Sequence, residues 1–430
     1  MDNKDWIYGG AIQTNLKNFR DKTKIMNSDI DLSLLTGILE ENHVKFYSID
    51  MDIYNIINNF LDKDVHEEAF FIVDLGKIIR QYAKWKKFLP NVTPYYAVKC
   101  NPNPVIIDTL NLMGCSFDCA SKNEISMVCE LIEDSSKIIF ANPIKICNHI
   151  QFARATDVDL MTFDSEQELY KIKLYHPYAN LVLRLAVDDS ESLIGFSEKY
   201  GVTIEQVPAL LRLVVALQLN LVGLSFHVGT GCRSPRLYRD ALKMCRAVYD
   251  TCHEQGILLT TIDIGGGFPG IDTGDLNFES IAQDINRAIE DHFQDTKDIA
   301  FIAEPGRFLV ASSHTLVVNV IGKKVNTNHV GEKEFVYYIN DGIYGSFNCV
   351  YFEKTVPDIQ PYNERDGKRY KTKIFGPTCD SIDLVVKETF LPELCIGDWC
   401  LIESFGAYTT ALASNFNGFT KTKTHYILTN

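Results

Sequence analysis

The sequence lacks three features that each indicate a class of protein: an excess of positive charge, paired cysteines and an apolar segment near its start. Its 42 Lys and Arg residues are outnumbered by 56 Asp and Glu residues, and the formal net charge is -14 at pH 7. A protein that follows a nucleic-acid backbone needs Lys and Arg to displace phosphate counterions, so this balance argues against a nucleic-acid partner. The same charge is compatible with a small cationic substrate.

Cysteine pairs of the CxxC type are absent, although the chain has 12 cysteines. Because these cysteines show no regular spacing, they predict neither a disulfide framework nor a metal site. Cys100, Cys119, Cys147 and Cys245 fall in or near apolar segments, as reduced core thiols do. The opening MDNKDWIYGG contains acids and no apolar core of a secretory signal. We therefore predict a cytoplasmic protein with no metal ion.

One apolar stretch, residues 207–228, could be mistaken for a membrane span. Arg212, Gln218 and Asn220 interrupt it, and the period of its apolar residues changes partway along. The first half repeats apolar residues at helical spacing, whereas LVGLSFHV is typical of a buried strand. We predict a helix followed by a strand, and no membrane partner.

Short apolar runs alternate with longer helical patterns from Thr93 onward, which predicts repeated strand and helix units. The eight runs are YYAVKC (95–100), SFDCAS (116–121), KIIFAN (137–142), LMTFDS (160–165), LVLRLA (181–186), LVGLSFHV (221–228), TTIDIGGG (260–267) and FIAEPG (301–306). Repeats of this number and length fit a closed (β/α)8, TIM-like barrel better than an open doubly wound sheet. The barrel is predicted to span residues 70–312.

The pattern changes after about residue 312, where β-rich segments follow one another without long helical patterns between them. We predict a C-terminal all-β domain over 313–430, joined by a strand from within 35–69, where VKFYSIDM has strand character. Residues 1–34 then form an N-terminal extension to which the sequence assigns no role. The predicted fold class is α/β, a TIM-like barrel plus an all-β domain.

Polar residues cluster where the predicted barrel strands end, which is the face that carries active sites in such barrels. They are Lys99, Asp118, Asn142, Asp164, His227, Glu304 and the glycines at 265–267. Chance explains one or two such positions but not the whole set. Each residue alone has a simpler alternative, since a strand-end lysine often reaches solvent and a histidine often belongs to the core.

Taken together, these residues predict pyridoxal phosphate as a cofactor. A lysine that closes a buried strand, as Lys99 does, can present a neutral amine that forms an imine. The glycine run in IDIGGGFPG and Arg307 in AEPGR follow the seventh and eighth predicted strands, where such barrels commonly bind phosphate. Glu304 would face a pyridine nitrogen and keep it protonated, and His227 would stack on the ring.

Eight motifs, in order along the chain, carry a resemblance to a known family. They are YYAVKCNPNP, FDCASKNEI, SFHVGTGC, IDIGGGFPG, AEPGRF, NDGIYGSFNC, GPTCDSID and GAYTTALASNFNGF. From about residue 65 to 425 the chain resembles the eukaryotic-type ornithine decarboxylases, fold type III pyridoxal-phosphate enzymes with the alanine-racemase-like fold. The resemblance implies decarboxylation of L-ornithine to putrescine and CO2, a step of polyamine biosynthesis, by a homodimer.

The resemblance also implies individual roles. Lys99 would bind the cofactor covalently, with Glu304 at the pyridine nitrogen and His227 on the ring. The phosphate would be held by Gly265, Gly266, Gly267, Arg307, Tyr408 and Thr230, the last standing where Ser is usual. Asp118, Glu124 and Arg184 match positions that support the lysine and the cofactor.

The Cys379-Asp380 pair of GPTCD would otherwise be only a core thiol beside a turn former. The resemblance implies that this pair crosses a dimer interface, with Cys379 as proton donor and Asp380 binding the distal ammonium of the substrate. Asp341 would be a second carboxylate for that ammonium, and Tyr344 and Phe416 would be wall residues. Lys199 and Asp383 match positions that pair between subunits, the alternative being two solvated surface charges.

Alternatives to ornithine remain open at this stage. Lysine or arginine would use the same catalytic residues in a pocket of different depth. A non-catalytic relative, like the antizyme inhibitors, would share the fold but act by binding a protein. Such relatives lose cofactor contacts, whereas this chain keeps the residues assigned to them. The segment around 147–170 is rich in acids, so the sequence does not predict binding of an antizyme-like regulator.

Overall fold

A computed structural model of the chain describes residues 16–17, 32–61, 68–232, 234–274, 276–296, 298–363 and 367–430. Most of the predicted N-terminal extension, residues 1–34, lies outside these ranges. The chain divides into two compact units, one of residues 79–309 and the other of residues 1–78 together with 310–430.

The strands are β1 (Lys45–Tyr47), β2 (Phe70–Asp74), β3 (Val92–Ala97), β4 (Ser116–Cys119), β5 (Ile138–Phe140), β6 (Leu160–Phe163), β7 (Asn180–Arg184), β8 (Ser192–Ile194), β9 (Asn220–Ser225), β10 (Thr230–Cys232), β11 (Thr261–Asp263), β12 (Ala300–Ala303), β13 (His314–Thr327), β14 (Lys333–Ile339), β15 (Gln360–Pro361), β16 (Tyr370–Phe375), β17 (Leu384–Leu391), β18 (Trp399–Ile402) and β19 (Lys423–Thr429). The helices are α1 (Leu32–Glu41), α2 (Ile53–Leu61), α3 (Leu75–Phe88), α4 (Pro104–Leu112), α5 (Lys122–Leu131), α6 (Cys147–Ala155), α7 (Glu166–Tyr175), α8 (Val207–Ala216), α9 (Arg236–Glu254), α10 (Phe278–Phe293), α11 (Arg307–Val310) and α12 (Asn348–Phe352).

The unit of residues 79–309 is a closed parallel barrel. Its strands follow the order β3, β4, β5, β6, β7, β9, β11 and β12, and β12 pairs with β3 to close the ring. Each of these strands coincides with one of the apolar runs read from the sequence, so the predicted (β/α)8 barrel is confirmed. Since all the strands run in parallel, the residues that follow them meet at one mouth of the barrel.

The helices around the barrel form where apolar residues recur at helical spacing, and a polar side chain caps the start of several of them. α9 buries Leu237, Ala241, Cys245 and Val248 along one face. Ser121 caps α5 by accepting the Glu124 N–H at 3.3 Å. In return, Oε2 of Glu124 accepts the N–H of Ala120, the residue before the cap, at 2.6 Å. Glu124, predicted to support the cofactor, thus has a structural task at the start of α5.

The other unit is built around a mixed sheet in the order β1, β19, β2, β13, β14, β16 and β17, with β18 paired to β13 and β15. β1 lies within VKFYSIDM and pairs in parallel with β19, as Lys45 with Ile427. The sequence predicts that the barrel begins at residue 70. In the structure Phe70–Asp74 is instead a fully buried strand of this sheet, paired with β13 and β19, because its five residues find partners only there.

The apolar stretch 207–228 forms α8 followed by β9, as predicted from its change of period. Across the part of the chain that the structure describes, no helix combines the length and the apolar character needed to cross a membrane.

Candidate active site

Lys99 follows the first barrel strand and reaches the carboxylate of the next strand. β3 ends at Ala97, and Lys99 lies in the single 3-10 turn Val98–Cys100 directly after it. Its Nζ donates a hydrogen bond to Oδ2 of Asp118, which lies in β4 and is 1% exposed. The other carboxylate oxygen, Oδ1, is buried and has no hydrogen-bond partner among the described residues. The Asp118 carboxylate, which accepts the Lys99 hydrogen bond, can therefore accept a hydrogen bond from one further donor.

A second carboxyl group, that of Glu304, lies just past the end of β12. Its backbone N–H donates to the carbonyl oxygen of Gly265 at 2.7 Å. Burial raises the pKa of the Glu304 carboxyl well above its usual range, and the nearby carboxyl of Asp263 raises it further. A cation beside Glu304, such as a protonated ring nitrogen, would restore the charged form.

Asp263 is a member of this site that the sequence analysis did not single out. It ends β11, is 1% exposed, and its Oδ1 accepts the Gly265 N–H at 2.9 Å. Burial raises the pKa of this carboxyl to about 7, although the Gly265 N–H works against the shift. The sequence contains a signal for Asp263. In IDIGGG a carboxylate ends a buried strand just before the glycine turn, and a buried carboxylate needs a partner.

His227 presents a neutral ring at the same mouth. Its Nδ1 accepts the Gly229 N–H at 3.0 Å, so the ring proton is on Nε2. Burial lowers the pKa of the ring well below its usual range, and the cations Arg184 and Lys99 lower it further. The edge of Phe196 contacts the ring, with centroids 4.9 Å apart. A neutral imidazole held in a fixed plane is suited to stacking on a flat ligand.

The glycine turn after β11 has a backbone that only glycine adopts readily. Gly265 has φ of 64° and Gly267 has φ of 102°. A side chain at Gly265 would place its Cβ 2.2 Å from the carbonyl oxygen of Phe226. Elsewhere in the chain, Thr230 opens β10, which pairs with β8, and Arg307 opens α11 directly after the Glu304 segment. These are the residues predicted to hold a phosphate.

The predicted substrate residues come together in the other unit. The hydroxyl of Tyr344 donates to Oδ2 of Asp380 at 2.5 Å, and the rings of Tyr344 and Phe416 stack with centroids 4.2 Å apart. The Tyr344 hydroxyl lowers the pKa of Asp380, and the same bond raises the pKa of Tyr344 to about 12. Asp380 is therefore charged and oriented, and Cys379 beside it is exposed.

Asp341 is a carboxylate without a cationic partner among the described residues. It is 5% exposed, its Oδ1 accepts the N–H groups of Gly342 and Ser346, and its Oδ2 accepts the Thr422 hydroxyl at 2.7 Å. Burial raises its pKa, and the Ser346 and Thr422 bonds oppose the shift. A cavity of about 260 Å³ opens beside it, with Tyr344 and Phe416 in its lining.

Asp383 connects the loops that carry these residues. It is 1% exposed, accepts the Ile343 N–H at 2.8 Å, and accepts the N–H and hydroxyl of Thr378 at 3.0 and 2.7 Å. The alternative, that Asp383 is a solvated surface charge, is wrong, because its carboxylate is buried and accepts hydrogen bonds from its own chain. Its predicted pairing with Lys199 of a second subunit stays a prediction.

Tyr408, predicted to contact the phosphate, lies in a strained segment of the same unit. Both Ser404 and Tyr408 have positive φ, 57° and 56°. The hydroxyl of Thr409 stabilises the turn of this segment by donating to the Phe405 carbonyl at 3.0 Å. An aromatic residue rarely adopts this backbone, and such strain is commonly found at functional positions.

A match to a known protein family identifies the class of enzyme to which these residues belong. Residues 75–311 match the model of the pyridoxal-dependent decarboxylases, specifically their pyridoxal binding domain. The chain belongs to this family. It is a pyridoxal-phosphate-dependent amino acid decarboxylase, and the resemblance read from the eight motifs is confirmed.

Relatives of this decarboxylase cover nearly its whole length. Ornithine decarboxylase of Mus musculus is 42% identical over 402 residues, which are 91% of this chain and 86% of the mouse protein. Antizyme inhibitor 2 of Xenopus laevis is 41% identical over 406 residues, 92% of this chain and 89% of that protein. Among solved structures, the arginine decarboxylase of Paramecium bursaria Chlorella virus superposes with a TM-score of 0.83 at 35% identity, covering 87% of this chain and all of that one.

The residues at the barrel mouth of this decarboxylase fit pyridoxal phosphate. Lys99 supplies an amine, Glu304 a carboxyl that a cationic ring nitrogen would ionise, and His227 a neutral ring for stacking. Two buried polar atoms, Oδ1 of Asp118 and Oγ of Ser225, have no partner among the described residues. A polar ligand that offers donors would satisfy them.

Replacing Gly265 by alanine is expected to disrupt the barrel of this decarboxylase. The new Cβ would lie 2.2 Å from a backbone oxygen, and alanine disfavours a φ of 64°. We expect a loss of about 3 kcal/mol or more in the free energy of unfolding, and loss of cofactor binding. Urea-induced unfolding followed by tryptophan fluorescence, with a titration of pyridoxal phosphate, measures both.

Gly256→Ala is the matched control for that change. Gly256 also has positive φ, 74°, but no atom lies within 4 Å of its would-be Cβ. It should lose only about 1–2 kcal/mol, the intrinsic penalty of the left-handed backbone. Equal losses at the two glycines would show that close packing at Gly265 contributes nothing.

Proposed function

We propose that this decarboxylase converts L-ornithine to putrescine and CO2. The proposal rests mainly on two carboxylates, Asp341 and Asp380, which lie in the same compact unit. Asp341 is buried without a cationic partner among the described residues, and Asp380 is charged and oriented by Tyr344. A diamino acid with a distal ammonium supplies the missing positive charge. The 42% identity to the mouse enzyme supports ornithine over other diamino acids.

Within this proposal each cofactor residue has one task. Lys99 would hold the cofactor through its amine, Glu304 would face the ring nitrogen, and His227 would stack on the ring. The phosphate would be held by Gly265, Gly266, Gly267, Thr230, Arg307 and Tyr408, and Asp118 and Arg184 would set the charge around the amine of Lys99. When bound, pyridoxal phosphate supplies the electron-accepting ring that permits loss of CO2.

The substrate residues act on the other end of the molecule and on its new C–H bond. Asp341 and Asp380 bind the distal ammonium, and Tyr344 and Phe416 form the wall around it. Cys379 donates the proton that replaces the carboxyl group. By resemblance to the family, these residues reach the barrel mouth of a second copy, so we propose a homodimer with shared active sites.

We propose a cytoplasmic location, and two domains that follow the compact units of the structure. None of the 12 cysteines forms a disulfide bond in the structure, which suits a reducing compartment. The domain boundaries that we propose, 79–309 for the barrel and 310–430 with the segment before 79 for the β-rich domain, replace the sequence-based boundary at residue 70.

Two alternatives have observations in their favour. The likeness to an arginine decarboxylase keeps arginine or lysine open as the substrate. The likeness to an antizyme inhibitor keeps a protein-binding function open, although the chain retains Lys99, Glu304, Cys379 and Asp380. CO2 release from ornithine, lysine and arginine, each at equal concentration with pyridoxal phosphate, separates these cases. Fastest release from ornithine is expected, preference for another substrate would overturn ornithine, and no release would favour the binding protein.

A further inference from the structure

The loop residues Ser414, Phe416 and Asn417, here called the clasp, contact both members of the Cys379-Asp380 pair. Oδ1 of Asn417 accepts the backbone N–H of Cys379 at 3.0 Å. Phe416 stacks on Tyr344, whose hydroxyl bonds to Asp380. The clasp thus holds the thiol residue directly and the carboxylate residue through Tyr344.

The clasp is itself fixed on the loop that carries Tyr344. The N–H of Ser414 donates to the Tyr344 carbonyl at 2.8 Å, and its hydroxyl donates to the same oxygen at 3.3 Å. Asn417 has φ of 54° and ψ of 16°, a left-handed conformation that asparagine tolerates better than most residues. This conformation accompanies the bond of its side chain to Cys379.

We infer that Asn417 is a positioning residue that determines where the Cys379 thiol delivers its proton. The inference rests on the proposed function, in which Cys379 is the proton donor. When the bond between the α-carbon and the carboxyl carbon breaks, CO2 leaves and the bonding electrons stay with the organic part. The S–H proton then forms a C–H bond at the α-carbon, and the thiolate recovers a proton from water.

A misplaced thiol gives a different product. If the proton reaches the cofactor carbon instead, water converts the former α-carbon to an aldehyde and the amino group stays on the cofactor. The two acceptor carbons are separated by a single nitrogen atom, so a shift of about 1 Å in the donor changes the outcome. Cys379 has an exposed side chain, and the Asn417 bond is the side-chain contact that fixes its backbone N–H.

The variants Asn417→Gly and Asn417→Asp distinguish the effect of the Asn417 side chain from the effect of its backbone conformation. Glycine keeps the left-handed backbone and removes the acceptor, whereas aspartate keeps an acceptor oxygen at the same place. Asn415→Gly is the matched control, because Asn415 lies in the same exposed loop and its side chain makes no capping bond there. Cys379→Ala is the reference for complete loss of the donor.

Two measurements on the cofactor-loaded protein test the inference. Amide hydrogen exchange in peptides covering residues 376–382 should be faster at Cys379 by about fivefold in Asn417→Gly, and unchanged in Asn417→Asp and Asn415→Gly. Turnover of ornithine should give an aldehyde fraction raised about tenfold in Asn417→Gly and in Cys379→Ala, but close to that of the unmodified protein in the other two.

Each contrary outcome has a separate meaning. Unchanged exchange in Asn417→Gly overturns the bond, and faster exchange with an unchanged aldehyde fraction overturns its positioning role. An unchanged fraction in Cys379→Ala overturns the proton-donor role and the inference with it. Failure of the unmodified protein to release CO2 overturns the proposed function and, with it, the inference that depends on it.

Discussion

Lys99→Arg is expected to abolish CO2 release from ornithine while leaving the protein as stable as before. A guanidinium does not lose its proton, so it cannot form the imine that the amine forms. It can still donate to Oδ2 of the buried Asp118, which keeps its partner. We expect kcat to fall by about 10⁴-fold or more, as on removal of other covalent catalytic groups. Steady-state CO2 release and urea-induced unfolding measure the two effects.

Lys99→Met distinguishes the chemical task of the lysine from its electrostatic one. Methionine fills similar space without a donor, so the buried Asp118 carboxylate loses its bond. This variant should be inactive and also less stable by about 1–3 kcal/mol. Lys86→Ala, at an exposed lysine of α3, should change neither property. Activity of Lys99→Arg above a few per cent of the unmodified protein would contradict the assignment.

Asp380→Asn is expected to lower kcat/KM for ornithine by about 100-fold, mainly through a higher KM. The change removes the negative charge that Tyr344 orients but keeps the size of the side chain. Tyr344→Phe removes only the hydroxyl and should cost about tenfold. Steady-state kinetics at a fixed concentration of pyridoxal phosphate measure both effects.

Norvaline provides the matched control for the charge, because it is ornithine without the distal ammonium. Its inhibition constant should be the same for Asp380→Asn and for the unmodified protein, since it offers nothing for the carboxylate to bind. An equal loss of affinity for norvaline and ornithine would show that Asp380 shapes the pocket rather than binding the ammonium.

The barrel could be read from the sequence because each of its strands is a buried run bounded by helical patterns. The strand Phe70–Asp74 has the same local signature, FFIVD, but its partners are β13 and β19. No local pattern distinguishes a strand that joins the barrel from one that joins the other sheet. β16 was not predicted, because KTKIF follows a charged segment and alternates with lysines.

The site residues could be predicted by type, but most of their contacts could not. Lys99, His227 and Glu304 stand at strand ends, where the fold fixes their position. The bonds of Asn417 to Cys379 and of Asp383 to Ile343 depend on loop backbones that no periodicity describes. The cap of α5 by Ser121 could be predicted, since S-x-x-E before an apolar run is a signature of a helix start.

The position of β2 in the sheet has a consequence for synthesis on the ribosome. β2 leaves the exit tunnel before the barrel, but its neighbours β13 and β19 follow the barrel in the chain. Because roughly 240 residues separate β2 from β13, β13 is synthesised on the order of ten to fifty seconds after β2 at the usual pace of translation. During that interval five apolar-rich residues have no sheet to join. A translational pause before β13 prolongs the exposure of both edges of this strand, and a pause between β13 and β19 prolongs the exposure of one edge.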